Sequence, residues 1–234
     1  MKLAWVLASL VPLSLAACSD DAPAQIDAAV DTLAPDGPDI DAGPCGADYF
    51  LTGAYEDWDS TTTTFDGVEF ANWTVRGEPS RTFTTNPNGR VELCIGRGHV
   101  SVIDATQADY LPAIYVTRPE VFDPPALFYF QIKGLKTTRA ASFFTELSAT
   151  ADPARGHVLI QQLGTPRALA LTGAGAVFAV DNSDDLSWTA GATGGLVFFP
   201  NVAVGTSTLS TSGAIVGPTS LPVEAGTITI ATIR

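Results

Sequence analysis

Paired carboxylates beside an aromatic ring are the residues of this chain best suited to do chemistry. Asp57 and Asp59 flank Trp58, and Tyr55 lies two positions upstream. Two acids across a cleft can hydrolyse a glycosidic bond. An exposed ring between acids can instead bind sugars or cationic groups, the ring stacking while the carboxylates accept hydrogen bonds. The same four residues also fit a plainer role, with Trp58 plugging the end of a core and the aspartates shaping a solvated turn. A second polar cluster, Asp181-Asn182-Ser183-Asp184-Asp185, offers oxygen ligands for calcium, or simply the turn chemistry of an exposed loop.

Other chemistries lack their residues. The two histidines, His99 and His157, stand far apart with no histidine at ligand spacing, and zinc needs three or four ligands held together. No Gly-x-Ser-x-Gly elbow, His-Glu-x-x-His helix or phosphate-binding Gly-Lys loop is present. No metal, no cofactor and no catalytic residue is therefore expected. The expected role is binding or structural, with a surface hydrolase using the loop carboxylates as the alternative. Acids outnumber bases 25 to 12, for a formal net charge of -13. That excess argues against nucleic acid as a partner and against docking on anionic lipid headgroups.

The chain's start sets its location. Lys2 precedes an apolar run from Leu3 to Leu15, too short to span a bilayer, which takes about 20 residues. This is the pattern of an export signal. The run closes on Leu15-Ala16-Ala17-Cys18, which resembles the lipobox of bacterial lipoproteins. The resemblance implies that residues 1–17 are removed as a signal peptide, that Cys18 carries the lipid, and that Ser19 directs the chain to the outer membrane. Several acyl chains on one cysteine make a lasting anchor, since each buried methylene contributes about 0.8 kcal/mol and one chain holds only marginally. The membrane would then be reached through the N-terminal lipid, with the surface partner unspecified.

Residues 18–44 read as a disordered tether. Ser19 to Pro44 carries seven acids, four prolines, no base and no aromatic residue, so it cannot bury enough apolar surface to fold. Fully extended, it reaches roughly 80 Å. Beyond Cys18 the chain has two cysteines, Cys45 and Cys94. An oxidising compartment permits a disulfide between them; two free thiols are the alternative.

The remainder is rich in Thr, Val and Gly, with short apolar runs punctuated by turns, which reads as all-β. Six or seven strands are expected over residues 45–118, with Asn86-Pro87-Asn88-Gly89 as a hairpin signal. Val91, Leu93 and Ile95 should face a core. Residues 119–154 read as a connector holding a short helix, Arg139 to Leu147, capped by Thr138 and packed through Phe143, Phe144 and Leu147. A second strand series fills residues 155–234 and ends on the alternating Thr227 to Ile233. The stretches 83–93 and 188–198 echo one another in aromatic, Thr, Gly and apolar positions, as two copies of one module would. Arg81 to Leu93 and Gly195 to Gly205 each resemble the carboxypeptidase regulatory-like domain. That resemblance implies two tandem transthyretin-like (prealbumin-like) β-sandwiches serving as non-catalytic accessory or binding units.

Overall fold

The computed structural model describes residues 45–234 apart from 47, 62, 123–128 and 182–186. In chain order its strands are β1 (Tyr49–Asp57), β2 (Asn72–Val75), β3 (Thr82–Thr84), β4 (Arg90–Ile95), β5 (Ser101–Thr106) and β6 (Ala113–Thr117). After a 3-10 turn at Pro119–Phe122 come β7 (Tyr129–Gly134), helix α1 (Thr137–Glu146) and β8 (Gly156–Gln162). The rest are β9 (Leu169–Leu171), β10 (Phe178–Val180), β11 (Thr189–Ala190), β12 (Leu196–Val202), β13 (Gly205–Thr211), β14 (Ser220–Val223) and β15 (Ile228–Ile233). The fold is all-β with one short helix.

These strands make three layers. A nine-stranded sheet, β11-β10-β12-β8-β15-β6-β5-β2-β3, lies between two three-stranded sheets, β4-β1-β7 and β14-β13-β9. One core fills the gap to β4-β1-β7, holding Tyr115, Leu159, Phe198, Ile228 and Ile230 from the large sheet. The other fills the gap to β14-β13-β9, holding Val116, Ile160, Val197, Ala231 and Ile233. Adjacent residues of the same strands thus feed opposite cores. A sheet buried on both faces needs apolar residues at successive positions rather than at every second one. That accounts for Ala113–Thr117 and Ile228–Ile233, in which every residue is buried.

The expected tandem arrangement, one sandwich at 45–118 and another at 155–234, takes a different form. The described residues lie in one compact unit, and both blocks contribute strands to the central sheet. The join is β15, which runs parallel to β6 on one side and to β8 on the other. The connector also supplies structure to the first block, because β7 pairs parallel with β1. Nor do the echoing stretches occupy equivalent places: β4 is the edge of a small sheet, while β12 lies inside the large one.

Two local expectations change with it. Asn86–Gly89 is a tight turn, with Gly89 N–H donating to the Asn86 carbonyl at 2.9 Å and Gly89 at φ 68°. The strands it joins do not pair, however. β3 pairs with β2, and β4 pairs with β1. The turn is a crossing between layers, held where the Gly89 backbone lies against the Tyr55 carbonyl too closely for a side chain. Val91, Leu93 and Ile95 do face the core, as the alternation implied. Helix α1 begins at Thr137, one residue before the expected cap, and has no side-chain N-cap. Its start is set instead by Thr137, whose N–H and hydroxyl both donate to the Asp109 carbonyl.

Cys45 and Cys94 form a disulfide, their Cα atoms 5.3 Å apart and 49 residues apart in sequence. It ties the chain just before β1 to β4, the strand that β1 pairs with. Closing a loop of that length stabilises by about 4 kcal/mol in the chain-entropy account. The Cys45→Ala/Cys94→Ala double variant should therefore lose up to about 4 kcal/mol in urea unfolding; an unchanged unfolding midpoint would refute the contribution.

Candidate functional site

β1 ends at Asp57, and the loop that follows folds back so that Asp57 N–H donates to the Asp66 carbonyl at 2.7 Å. Parallel pairing sets Asp57 opposite Gly134 at the end of β7. The short link from β7 to α1 then carries Lys136, and the first turn of α1 carries Arg139, past the same loop. The four residues singled out in the sequence are thus brought together with bases from the connector.

Each acid is occupied. Asp57 Oδ1 accepts the Asp59 N–H at 3.1 Å, closing a turn through its own side chain. Its Oδ2 accepts the Tyr110 hydroxyl at 3.0 Å and pairs with Lys136 Nζ at 3.0 Å. Lys136 also reaches Asp66 at 3.4 Å. Asp59 receives two hydrogen bonds from Arg139, at 2.7 and 3.3 Å, and Arg139 pairs in addition with Glu146 at 2.8 Å. The hydrogen bond to Asp57 raises the pKa of Lys136, and those to Glu146 and Asp59 raise that of Arg139. Burial, reinforced by the Asp57 charge, pushes the Tyr110 hydroxyl up to about 12. Burial likewise raises that of Tyr55.

The aromatic residues face inward. Trp58 is 2 % exposed, and its ring meets Phe143 at 4.8 Å, Phe198 at 5.5 Å and Trp188 at 5.7 Å. Tyr55 is fully buried against Trp73 and Tyr110, its hydroxyl beside Gly134 where a side chain would have no room. The exposed stacking face, one of the two roles open to Trp58, is absent because Phe143 of α1, Phe198 of β12 and Trp188 cover that ring. Of the two roles open to these residues, the core plug matches the geometry. A glycosidase needs one free carboxylate and one carboxylic acid facing a cleft; here both aspartates are held in ion pairs above a filled core.

Lys133, Lys136, Arg139, Tyr110 and Trp188 were the partners that sequence reasoning missed. A signal for the bases existed: three of the chain's 12 Lys and Arg residues fall between positions 133 and 139. Their clustering after an apolar strand marks a place where acids will be met.

Of the Asp181–Asp185 cluster, residues 182–185 lie outside the described residues, as do Cys18 and the tether. Among the described residues no group of three His, Cys, Asp or Glu side chains is placed to hold a metal ion. His99 is exposed, with Nδ1 beside the Arg97 carbonyl at 3.1 Å. His157 is buried against Phe144 at 4.7 Å between ring centres, and its Nδ1 accepts the Asn201 N–H at 3.1 Å. A groove of about 380 Å³ runs beside β14, with Arg76, His99, Ser101, Thr206 and Ser220 among its lining. Its one guanidinium is already paired with Asp104 and Glu224.

No family profile and no curated protein matches the chain. Among solved structures it is similar to a Streptococcal ancillary pilin, at 12% identity and a TM-score of 0.24, over 79% of this chain and 62% of that one. It is similar also to GBS52, the minor pilin of Streptococcus agalactiae, at 11% identity and a TM-score of 0.22, over 79% of this chain and 94% of that one. The chain spans under two thirds of the first pilin's length. At these scores the likeness carries no functional argument.

Two outcomes follow from the packing. Trp58→Ala should cost about 3–5 kcal/mol, the usual loss for a buried large aromatic; a variant with an unchanged melting temperature would show the ring to be dispensable. Burial pushes the His157 imidazole down from 6.5 to about 4. Because the folded value is depressed, the unfolded chain takes up the proton first. The His157 contribution is therefore full above pH 6.5, is lost as pH falls from 6.5 to 4, and levels off below, amounting to roughly 3 kcal/mol. Urea midpoints across that range, compared with His157→Gln, should show a steeper fall in the parent chain. Parallel slopes would refute it.

Proposed function

We propose that the chain is an exported lipoprotein, held at the outer membrane through Cys18, whose β layers form a non-catalytic scaffold displayed on an acidic tether. The observation that carries the reading is the lipobox at Leu15–Cys18 behind a short apolar run. The Cys45–Cys94 disulfide supports export, since such bonds persist in oxidising compartments. Among the described residues no helix is long and apolar enough to cross a membrane, so in this reading attachment falls to the lipid.

The scaffold half of the reading rests on the Asp57–Asp59 loop. Its acids are spent on Lys136 and Arg139, and its ring on the core, which is the arrangement of a loop that holds layers together. A partner would be met through the outer surfaces of the layers.

Cys18→Ser tests the anchor. The variant should lose the acyl mass at its amino terminus and leave the membrane fraction, or accumulate with its signal uncleaved. Membrane retention with an unchanged mature N-terminal mass would overturn the reading.

A further inference from the structure

The central position of β15 has a consequence for when this chain can fold. Among the described residues, β15 follows fourteen other strands, yet it is the fifth of nine in the large sheet. Its partners are distant in sequence: Ile228 pairs with Ala113 and with His157. Both pairings are parallel, so neither grows from a hairpin. No other strand lies between β6 and β8.

Approach to the slot draws on both blocks. Ile228 N–H donates to the Pro112 carbonyl at 3.0 Å, while His157 N–H donates to the Thr227 carbonyl at 2.9 Å. Just upstream, Gly226 N–H donates to the Arg155 carbonyl at 2.9 Å, and Glu224 pairs with Arg76 beside β2 at 2.7 Å. Once in place, β15 feeds Ile228 and Ile230 to one core and Ala231 and Ile233 to the other. Without it, β6 and β8 are two bare edges facing each other, and the wall of each core is split at its centre.

We propose that β15 is a keystone strand: neither β block closes until residues 228–233 have paired with β6 and β8 together. Loop closure over such separations is costly and is repaid only when the long-range pairs form. Partial structures lacking β15 keep local ladders such as β5 with β6 and β8 with β12, but neither core gains the residues that β15 supplies. Resting on the export reading above, the device keeps the two blocks open while they are threaded across a membrane, because the strand that locks them follows the fourteen other described strands.

The test uses the full chain with its disulfide intact, refolded from denaturant and sampled by pulsed hydrogen exchange with peptide mass analysis. Peptides spanning β5–β6 and β8–β12 should gain protection in the same kinetic phase as the peptide holding β15. Protection of either block while β15 still exchanges freely would overturn the proposal. Ile230→Val gives an independent reading that keeps the fold: it should slow refolding by about two- to ten-fold and leave unfolding nearly unchanged. Faster unfolding with unaltered refolding would mean that β15 docks on blocks already formed, which would also overturn it. A chain that is lipidated at Cys18 yet folds block by block would leave the export reading standing and remove this one.

Discussion

The continuity of the large sheet depends on one strand being paired on both sides. β15 has β6 from the first block along one edge and β8 from the second along the other, six and four paired positions long respectively on the β8 and β6 sides. Remove those two ladders and the large sheet falls into two halves. Secondary contacts between halves lie on both faces: the rings of Trp58, Phe143, Trp188 and Phe198 on one, and on the other the cluster that takes in Ile114 and Val116, with the Arg76–Glu224 pair. They brace a join that they do not make. β15 also meets the polar demands of its own buried threonines. Thr229 donates to the Pro222 carbonyl, and Thr232 is shared between Tyr115 and Gln161, each 3.3 Å away. A strand so deeply placed tolerates hydroxyls only because each finds a partner.

What the sequence disclosed was local, and what it hid was connectivity. The alternation of Val91, Leu93 and Ile95 located a core face, and Phe143, Phe144 and Leu147 located the buried side of the helix, because both depend on neighbours a few residues apart. The Asn86–Gly89 turn was legible for the same reason. Which strands it joined was not, since a tight turn with Gly at positive φ serves a hairpin or a crossing between layers equally well. The apolar run at Ile228–Ile233 was legible as a strand, but its alternation of Ile and Thr reads as one buried face. Burial of both faces shows only when the neighbours are known. Two strand series separated by a helical connector look like two sandwiches for the same reason.

The loop at Asp57–Asp59 was found in the sequence and its use was not. Asp, Trp and Tyr at that spacing are compatible with a sugar site, a cation site or a braced turn, and the residues that decide among them lie some 80 positions away at Lys136 and Arg139. Arg139 is itself shared between Asp59 and Glu146, so the helix's first turn is tied to the loop and its last turn to that same guanidinium. Exposed ion pairs of this kind contribute little singly. Their effect here is positional, because they hold α1 over Trp58 where the ring needs covering.

Register is the remaining problem, and it is sharpest where strands are parallel. β1 and β7 pair over Asp57↔Gly134 and Glu56↔Lys133 with more than seventy residues between them, so no turn sets their alignment. The inner face carries Tyr55, Phe130 and Ile132 to the core. The outer face carries Glu56 and Lys133, whose side chains are 3% and 6% exposed and 3.5 Å apart. Lys133 donates also to the Ser60 carbonyl in the folded-back loop. A buried pair of charges is a poor source of net stability, because desolvation offsets most of the attraction. It is a strict alignment device all the same. Because side chains alternate along a strand, a slip by one residue would turn Lys133 inward among Tyr55 and Trp73 and leave Glu56 buried without its cation. The correct register is the one in which neither charge is alone, and it seats Gly134 beside the Tyr55 hydroxyl, where no larger residue fits.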